Sequence, residues 1–220
     1  MRAAIYTYLM SLRRESETLA DARFFALCVS HRATDVKSPI SSTLGLAPEQ
    51  LSALLTRYFP ELMDARMATQ CMKVRLHTAV GGIFLCQCHG GDGGDGEALL
   101  RSEENSDLQK LLLDHRAGLN AAEEWSAAII ATACFGDDHL WQDLGLTERE
   151  DLSAVIKRHF PLLHLKNSGN MKWKKFLYKQ LCDQAAIRLC QAPNCSVCDD
   201  YARCFGPENA SGWNLLSAHG

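Results

Sequence analysis

The sequence predicts an all-α protein, an internally duplicated helical bundle followed by a C-terminal cysteine-rich loop. Three observations predict it. A repeat relates the two halves at a shift of about one hundred residues, the signature of a duplicated architecture. Leu44-Gly45-Leu46 recurs as Leu144-Gly145-Leu146, and Leu51-Ser52-Ala53, Arg57 and Phe59-Pro60 recur as Leu152-Ser153-Ala154, Arg158 and Phe160-Pro161. Both copies carry the stripe of one buried helix face, Leu51, Leu54, Leu55, Tyr58 and Phe59 against Leu152, Val155, Ile156, His159 and Phe160, at i, i+3, i+4, i+7 and i+8. Finally, Cys190, Cys195, Cys198 and Cys204 crowd into one short segment rich in turn formers.

At the N-terminus, Ile5, Tyr6, Tyr8, Leu9 and Met10 give way to Arg13-Arg14, too short an apolar run for a secretory signal. Alanine-rich segments from Ala20 to Cys28 and from Ala121 to Cys134 read as the helix upstream of each Leu-Gly-Leu, the second with Trp125, Ala128, Ile129 and Thr132 along one face. Each unit thus runs helix, loop, Leu-Gly-Leu, helix. Pro48 suits a first helical turn, Thr147 with Glu150 reads as a capping box, and Pro60 and Pro161 mark stops. The best strand candidate is Met72 to His77, where Met72, Val74 and Leu76 alternate with Lys73, Arg75 and His77; a single run makes no sheet. Leu108, Leu111, Leu112 and His115 add an amphipathic helix. Four segments are expected: a first helical half over 1–89, a Gly-rich acidic linker over 90–107, a second half over 108–165, and a basic helix with the four-cysteine segment over 166–220.

Composition narrows the function. With 47% hydrophobic and 22% charged residues the chain can bury a core, and no run approaches the roughly 20 apolar residues of a membrane span. A net charge of −3 argues against general nucleic-acid binding. The cytoplasm is the expected compartment, where ten cysteines are better explained by metal than by disulfides. The spacing CxxxxCxxCxxxxxC lets a short chain wrap four sulfurs around one centre, making this a cluster-binding loop. One compact run favours an iron–sulfur cluster over zinc, which usually takes two paired knuckles; unliganded thiols are the remaining alternative. Just before it, Met171 to Leu189 reads as a helix with Trp173, Phe176, Leu177 and Leu181 inward and Lys172, Lys175 and Lys179 along another side. Residues 166–189 hold six cations and one acid, Asp183. Such a face suits an anionic cluster, an oxyanion or an acidic partner, or serves only for solubility.

Residues 139–206 resemble the NifQ family, the molybdenum-donor proteins of nitrogenase cofactor assembly. The resemblance rests on His139-Leu140-Trp141-Gln142-Asp143-Leu144-Gly145-Leu146, His159-Phe160-Pro161, Asn170 through Tyr178, and the array ending Cys198-Asp199-Asp200-Tyr201-Ala202-Arg203-Cys204-Phe205-Gly206. Weaker similarity extends through His115-Arg116-Ala117-Gly118 and the first Leu-Gly-Leu. The resemblance implies a carrier, not an enzyme, that holds an iron–sulfur cluster on Cys190, Cys195, Cys198 and Cys204 and takes up molybdenum as a Mo–Fe–S species. It also implies delivery to the NifE–NifN scaffold and the nitrogenase iron protein, with molybdate or another molybdenum source upstream, and neither nucleic acid nor membrane as partner.

Other candidates read more plainly. Cys86-Gln87-Cys88-His89 lacks an obvious fourth donor and departs from the family pattern. Cys182, Cys28 and Cys134 are expected to be packed small side chains, the last two ending corresponding helices. His159, in the slot Tyr58 fills in the other copy, is expected to pack rather than ligate. His139 is expected to cap or hydrogen-bond locally, with a metal or molybdate contact as the alternative. The competing classes are a helical iron–sulfur DNA-repair glycosylase and a zinc-stabilised interaction module. The first needs a phosphate-binding hairpin and a basic surface, and the sequence has neither signal.

Overall fold

The repeat becomes, in the computed structural model, a pair of helix–turn–helix units whose turns are built alike. The structure describes residues 1–34, 38–63, 72–81, 95–185 and 201–208. Two compact units divide the chain, Met1–Lys166 and Asn167–Gly220. In the first, α1 spans Arg2–Ser11, α2 Leu19–Arg32, α3 Ile40–Thr43 and α4 Pro48–Tyr58, followed by a 3-10 turn at Pro60–Met63. Then come α5 Met72–Ala79, α6 Asp95–Asp114, α7 Ala122–Ala133, α8 Leu140–Asp143, α9 Arg149–His159 and α10 Pro161–Lys166. The second unit contains α11 Trp173–Gln184 and α12 Tyr201–Phe205. Every element among the described residues is helical, the all-α class that the sequence predicts.

Leu-Gly-Leu is the stop signal of a short helix. Gly45 and Gly145 adopt φ +68° and +75°, the left-handed conformation that glycine adopts at least cost. Leu46 N–H reaches Ser41 O and Gly45 N–H reaches Ser42 O; Leu146 and Gly145 repeat this with Trp141 O and Gln142 O, so both turns are Schellman motifs. The glycines also permit a reciprocal close approach. A Cβ on Gly45 would overlap Thr132 Oγ1 of α7 and come within 3.0 Å of Ala128 O, and one on Gly145 would sit 2.6 Å from His31 Cβ of α2. Each copy's turn therefore seats its glycine against the other copy's long helix. Arg2 and Arg32 reinforce the second contact by donating to Gly145 O and Asp143 O.

The four stripe helices close over a common core. Phe25 of α2 lies 4.9 Å from Tyr58 of α4, and Trp125 of α7 meets Tyr58 edge-on at 6.4 Å. Leu54, Leu55, Leu152, Ile156, Phe59 and Phe160 are all fully buried. The chain leading into each long helix is tied to the end of the stripe helix by an equivalent bond, Arg14 N–H to Tyr58 O and Ala117 N–H to His159 O, each 2.9 Å.

Three expectations change. Met72 to His77 is helical, with Lys73, Leu76 and His77 buried at i, i+3 and i+4. Its polar residues turn inward because Lys73 Nζ donates to Ser38 O and His77 Nε2 lies 3.1 Å from Ala33 O. Of the segment expected as a linker, residues 90–94 lie outside the described residues and the rest is helical from Asp95, where Glu97, Ala98, Leu99, Leu100 and Arg101 are strong helix formers; Glu103 and Asp107 remain on its wet side. At α9 the expected capping box does not form: the N-cap is Glu148, without a side-chain cap bond, and Thr147 before it donates through both N–H and Oγ1 to Asp151 Oδ2 instead of pairing with Glu150. Cys28, in addition, lies inside α2 and not at its end, whereas Cys134 does close α7.

Gly45→Ala should therefore cost about 3 kcal/mol or more, combining an unfavourable φ with overlap at α7. Gly118→Ala, at φ +81° with nothing within 4 Å of the added Cβ, should cost only about 1–2 kcal/mol. Urea unfolding of both variants measures the difference, and equal losses would contradict the close approach.

Candidate functional site

In the second unit, a buried side chain forms the corner that starts α11. Asn167 bonds Met171 in both directions, Nδ2–H to O at 2.9 Å and Oδ1 from N–H at 2.8 Å, while Asn170 turns the chain at φ +56°. Trp173, Phe176 and Leu177 are buried, the two rings edge-on at 5.6 Å, and Leu181 is half-buried. The inward stripe is thus as expected, although the described helix ends at Gln184.

Lys172 is the N-cap of α11, and its N–H donates to Cys204 O at 2.8 Å. That bond fixes the backbone of the last thiol of the array to the start of the lysine helix. Cys204 rides on α12, whose Tyr201 and Phe205 rings stack at 4.6 Å and 19°. Gly206 closes α12 by donating to Ala202 O at 2.8 Å, so closely that an added Cβ would overlap that oxygen. The Cys204 thiol is partly exposed, as is Cys182 on α11. Cys190, Cys195 and Cys198 lie outside the described residues, as do Cys86, Cys88 and His89. Of the lysine face, Lys175 is exposed and Lys179 pairs with Asp183 at 2.6 Å, a solvated i, i+4 pair worth a few tenths of a kcal/mol.

The first unit holds the histidines that stood as candidates. His139 is the N-cap of α8, and its N–H donates to Gln142 Oε1 at 3.2 Å. His159 is buried and its Nε2 lies 2.9 Å from Asp21 Oδ1 of α2, which also accepts from Arg158 Nη1 at 2.8 Å. Thr18 Oγ1 donates to Asp21 Oδ2 at 2.6 Å. Burial pushes the Asp21 carboxyl up, but hydrogen bonds from His159, Thr18 and Arg158 and the His159 charge outweigh it and hold the group at about 2. This cluster joins α2 of one copy to α9 of the other, and sequence reasoning missed it. Its one trace was the odd histidine in the slot of Tyr58. The Cys28 thiol, buried and pushed up to about 12, is no thiolate donor at neutral pH, and Cys134 is buried as well. No helix among the described residues is long and apolar enough to cross a membrane.

A family model described as NifQ matches residues 24–206. The chain is 38% identical to Protein NifQ of Azotobacter vinelandii, over 75% of this chain and 78% of that one. It is 44% identical to Protein NifQ of Rhodobacter capsulatus, over 77% and 79%, and 32% identical to a NifQ homolog of Sinorhizobium fredii, over 84% and 72%. No solved structure matches.

Asp21 sets an acid limit to the fold. A carboxylate whose folded pKa lies below its unfolded value of 3.8 contributes stability above that value, and loses it as pH falls toward about 2. Asp21→Asn should remove roughly 2 kcal/mol at pH 7 and flatten the loss between about pH 4 and pH 2. Urea unfolding across that range tests this; an acid profile identical to wild type would count against the cluster.

Proposed function

The chain belongs to the NifQ family, and from that premise we propose that it carries molybdenum, as a Mo–Fe–S species, into the assembly of the nitrogenase iron–molybdenum cofactor. Cys190, Cys195, Cys198 and Cys204 hold an iron–sulfur cluster, whose sulfide and iron supply the soft coordination that reduced molybdenum takes. The observation that carries this reading is the compact thiol array with its last member bonded through the backbone to the N-cap of a lysine-bearing helix. Lys172, Lys175 and Lys179 raise the local concentration of anionic molybdate and stabilise anionic cargo, with His139 as a further contact. Cargo is handed in the cytoplasm to the NifE–NifN scaffold and the nitrogenase iron protein. The protein transfers and does not turn over. Thiolates suit the proposed cluster, and the Cys204 thiol is partly exposed.

Anaerobic purification and elemental analysis should find iron together with molybdenum; stoichiometric zinc without iron would overturn the reading. Cys195→Ala or Cys198→Ala should lose most of both metals, and full retention would refute the ligand set. Gly206→Ala removes no thiol, yet by displacing the end of α12 it should lower iron retention several-fold. Iron content equal to wild type in that variant would separate α12 geometry from cluster binding.

A further inference from the structure

The duplication supplies its own control for surface chemistry. Because Phe59-Pro60 and Phe160-Pro161 occupy the same place, Glu61 of the first copy corresponds to Leu162 of the second. Because Arg14 N–H and Ala117 N–H make the same bond to the stripe helix, exposed Ser16 corresponds to Leu119. The first copy exposes polar groups at both places. In the second copy, Leu119 is 67% exposed and Leu162 54%, and Leu165, one turn beyond Leu162 on α10, is 69% exposed. Packing does not require Leu119 or Leu162, since the first copy makes the equivalent backbone bond with Ser16 and Glu61 in their places. Exposed apolar clusters kept where the fold does not need them mark interaction surfaces.

Charge identifies the occupant. From Leu152 to Lys166 the chain holds no acidic residue. Lys157, in the register of Thr56, and Lys166, whose Nζ lies 2.8 Å from His115 Nε2, are both exposed at this end of the unit. Leu162, Leu165 and Lys166 share one side of α10 at i, i+3 and i+4. We propose that Leu119, Leu162 and Leu165, with Lys157 and Lys166, form a docking face for an acidic amphipathic helix of a partner protein. Leucines of such a helix cover the apolar ridge while its carboxylates meet the lysines. A second copy of this chain fits worse, since a two-fold contact would set the same lysines against each other. Metal content does not enter, so failure here leaves the cargo reading untouched.

The probe is a labelled helical peptide with leucines at i, i+3, i+4 and i+7 and glutamates on its other faces, titrated with the full chain and read by fluorescence anisotropy. Binding should weaken about tenfold in the Leu162→Glu, Leu165→Glu double variant and by a similar factor in Lys157→Glu, Lys166→Glu. It should also weaken as salt rises, and a peptide with lysines replacing the glutamates should bind at least about tenfold less well. Circular dichroism should be unchanged in the leucine variant, because Glu61 already stands at the equivalent position of Leu162. Absent binding, equal binding of the two peptides, or undiminished binding by the leucine variant would each overturn the proposal. So would a concentration-dependent dimer in sedimentation that the leucine variant abolishes, which would give the face to a second copy.

Discussion

The first unit depends on a reciprocal approach of backbone to helix. Gly45 lies against Thr132 and Ala128 of α7, and Gly145 against His31 of α2, each at a distance that a Cβ would violate. The same glycines end α3 and α8 in Schellman turns, so one residue type meets two demands at each place, a left-handed φ and an absent side chain. Neither copy can shift its turn without moving the other copy's helix. The position of each turn against α7 and α2 is thereby fixed.

Within that frame the two copies have diverged in chemistry. The first fills its stripe position with Tyr58, ringed by Phe25 and Trp125; the second uses His159, bonded to Asp21 across the copies. A buried carboxylate is tolerable because three side chains bond it, and the net contribution is that of a paired group, far below the raw attraction. The surfaces have diverged as well, with leucines and lysines at one corner where the other has serine, glutamate and threonine. Duplication preserved the backbone solution and released the side chains around it.

The second unit is organised around α11. A buried asparagine corner and the Trp173–Phe176 pair set its start, and the Lys172 N–H spends itself on Cys204 O. One thiol-bearing segment is consequently anchored by main-chain bonding that no metal supplies. Tyr201 and Phe205, stacked on α12, flank that anchor with aromatic surface. In the carrier proposed here, such support would orient the Cys204 donor.

Periodicity and spacing settled a good deal unaided. Helices at the Leu51 and Leu152 stripes, the stops at Pro60 and Pro161, the inward face of Trp173 and Phe176, and the buried roles of Cys28 and His159 all follow from local pattern, because side-chain direction along a helix is a local property. The four-thiol motif and the family likeness are equally properties of the string. Tertiary structure alone decided what depends on partners distant in sequence. Alternation from Met72 pointed to a strand, yet carbonyls at Ser38 and Ala33 drew Lys73 and His77 inward on a helix. Leu-Gly-Leu marked the repeat, but not that each glycine ends a short helix and abuts the opposite copy. Asp21 carried no signal of its own in the sequence; His159 and Arg158, more than a hundred residues away, close on it only in the fold. Hydrogen-bond acceptors and close contacts of that kind exist only after the chain has folded, and no one-dimensional pattern encodes their positions.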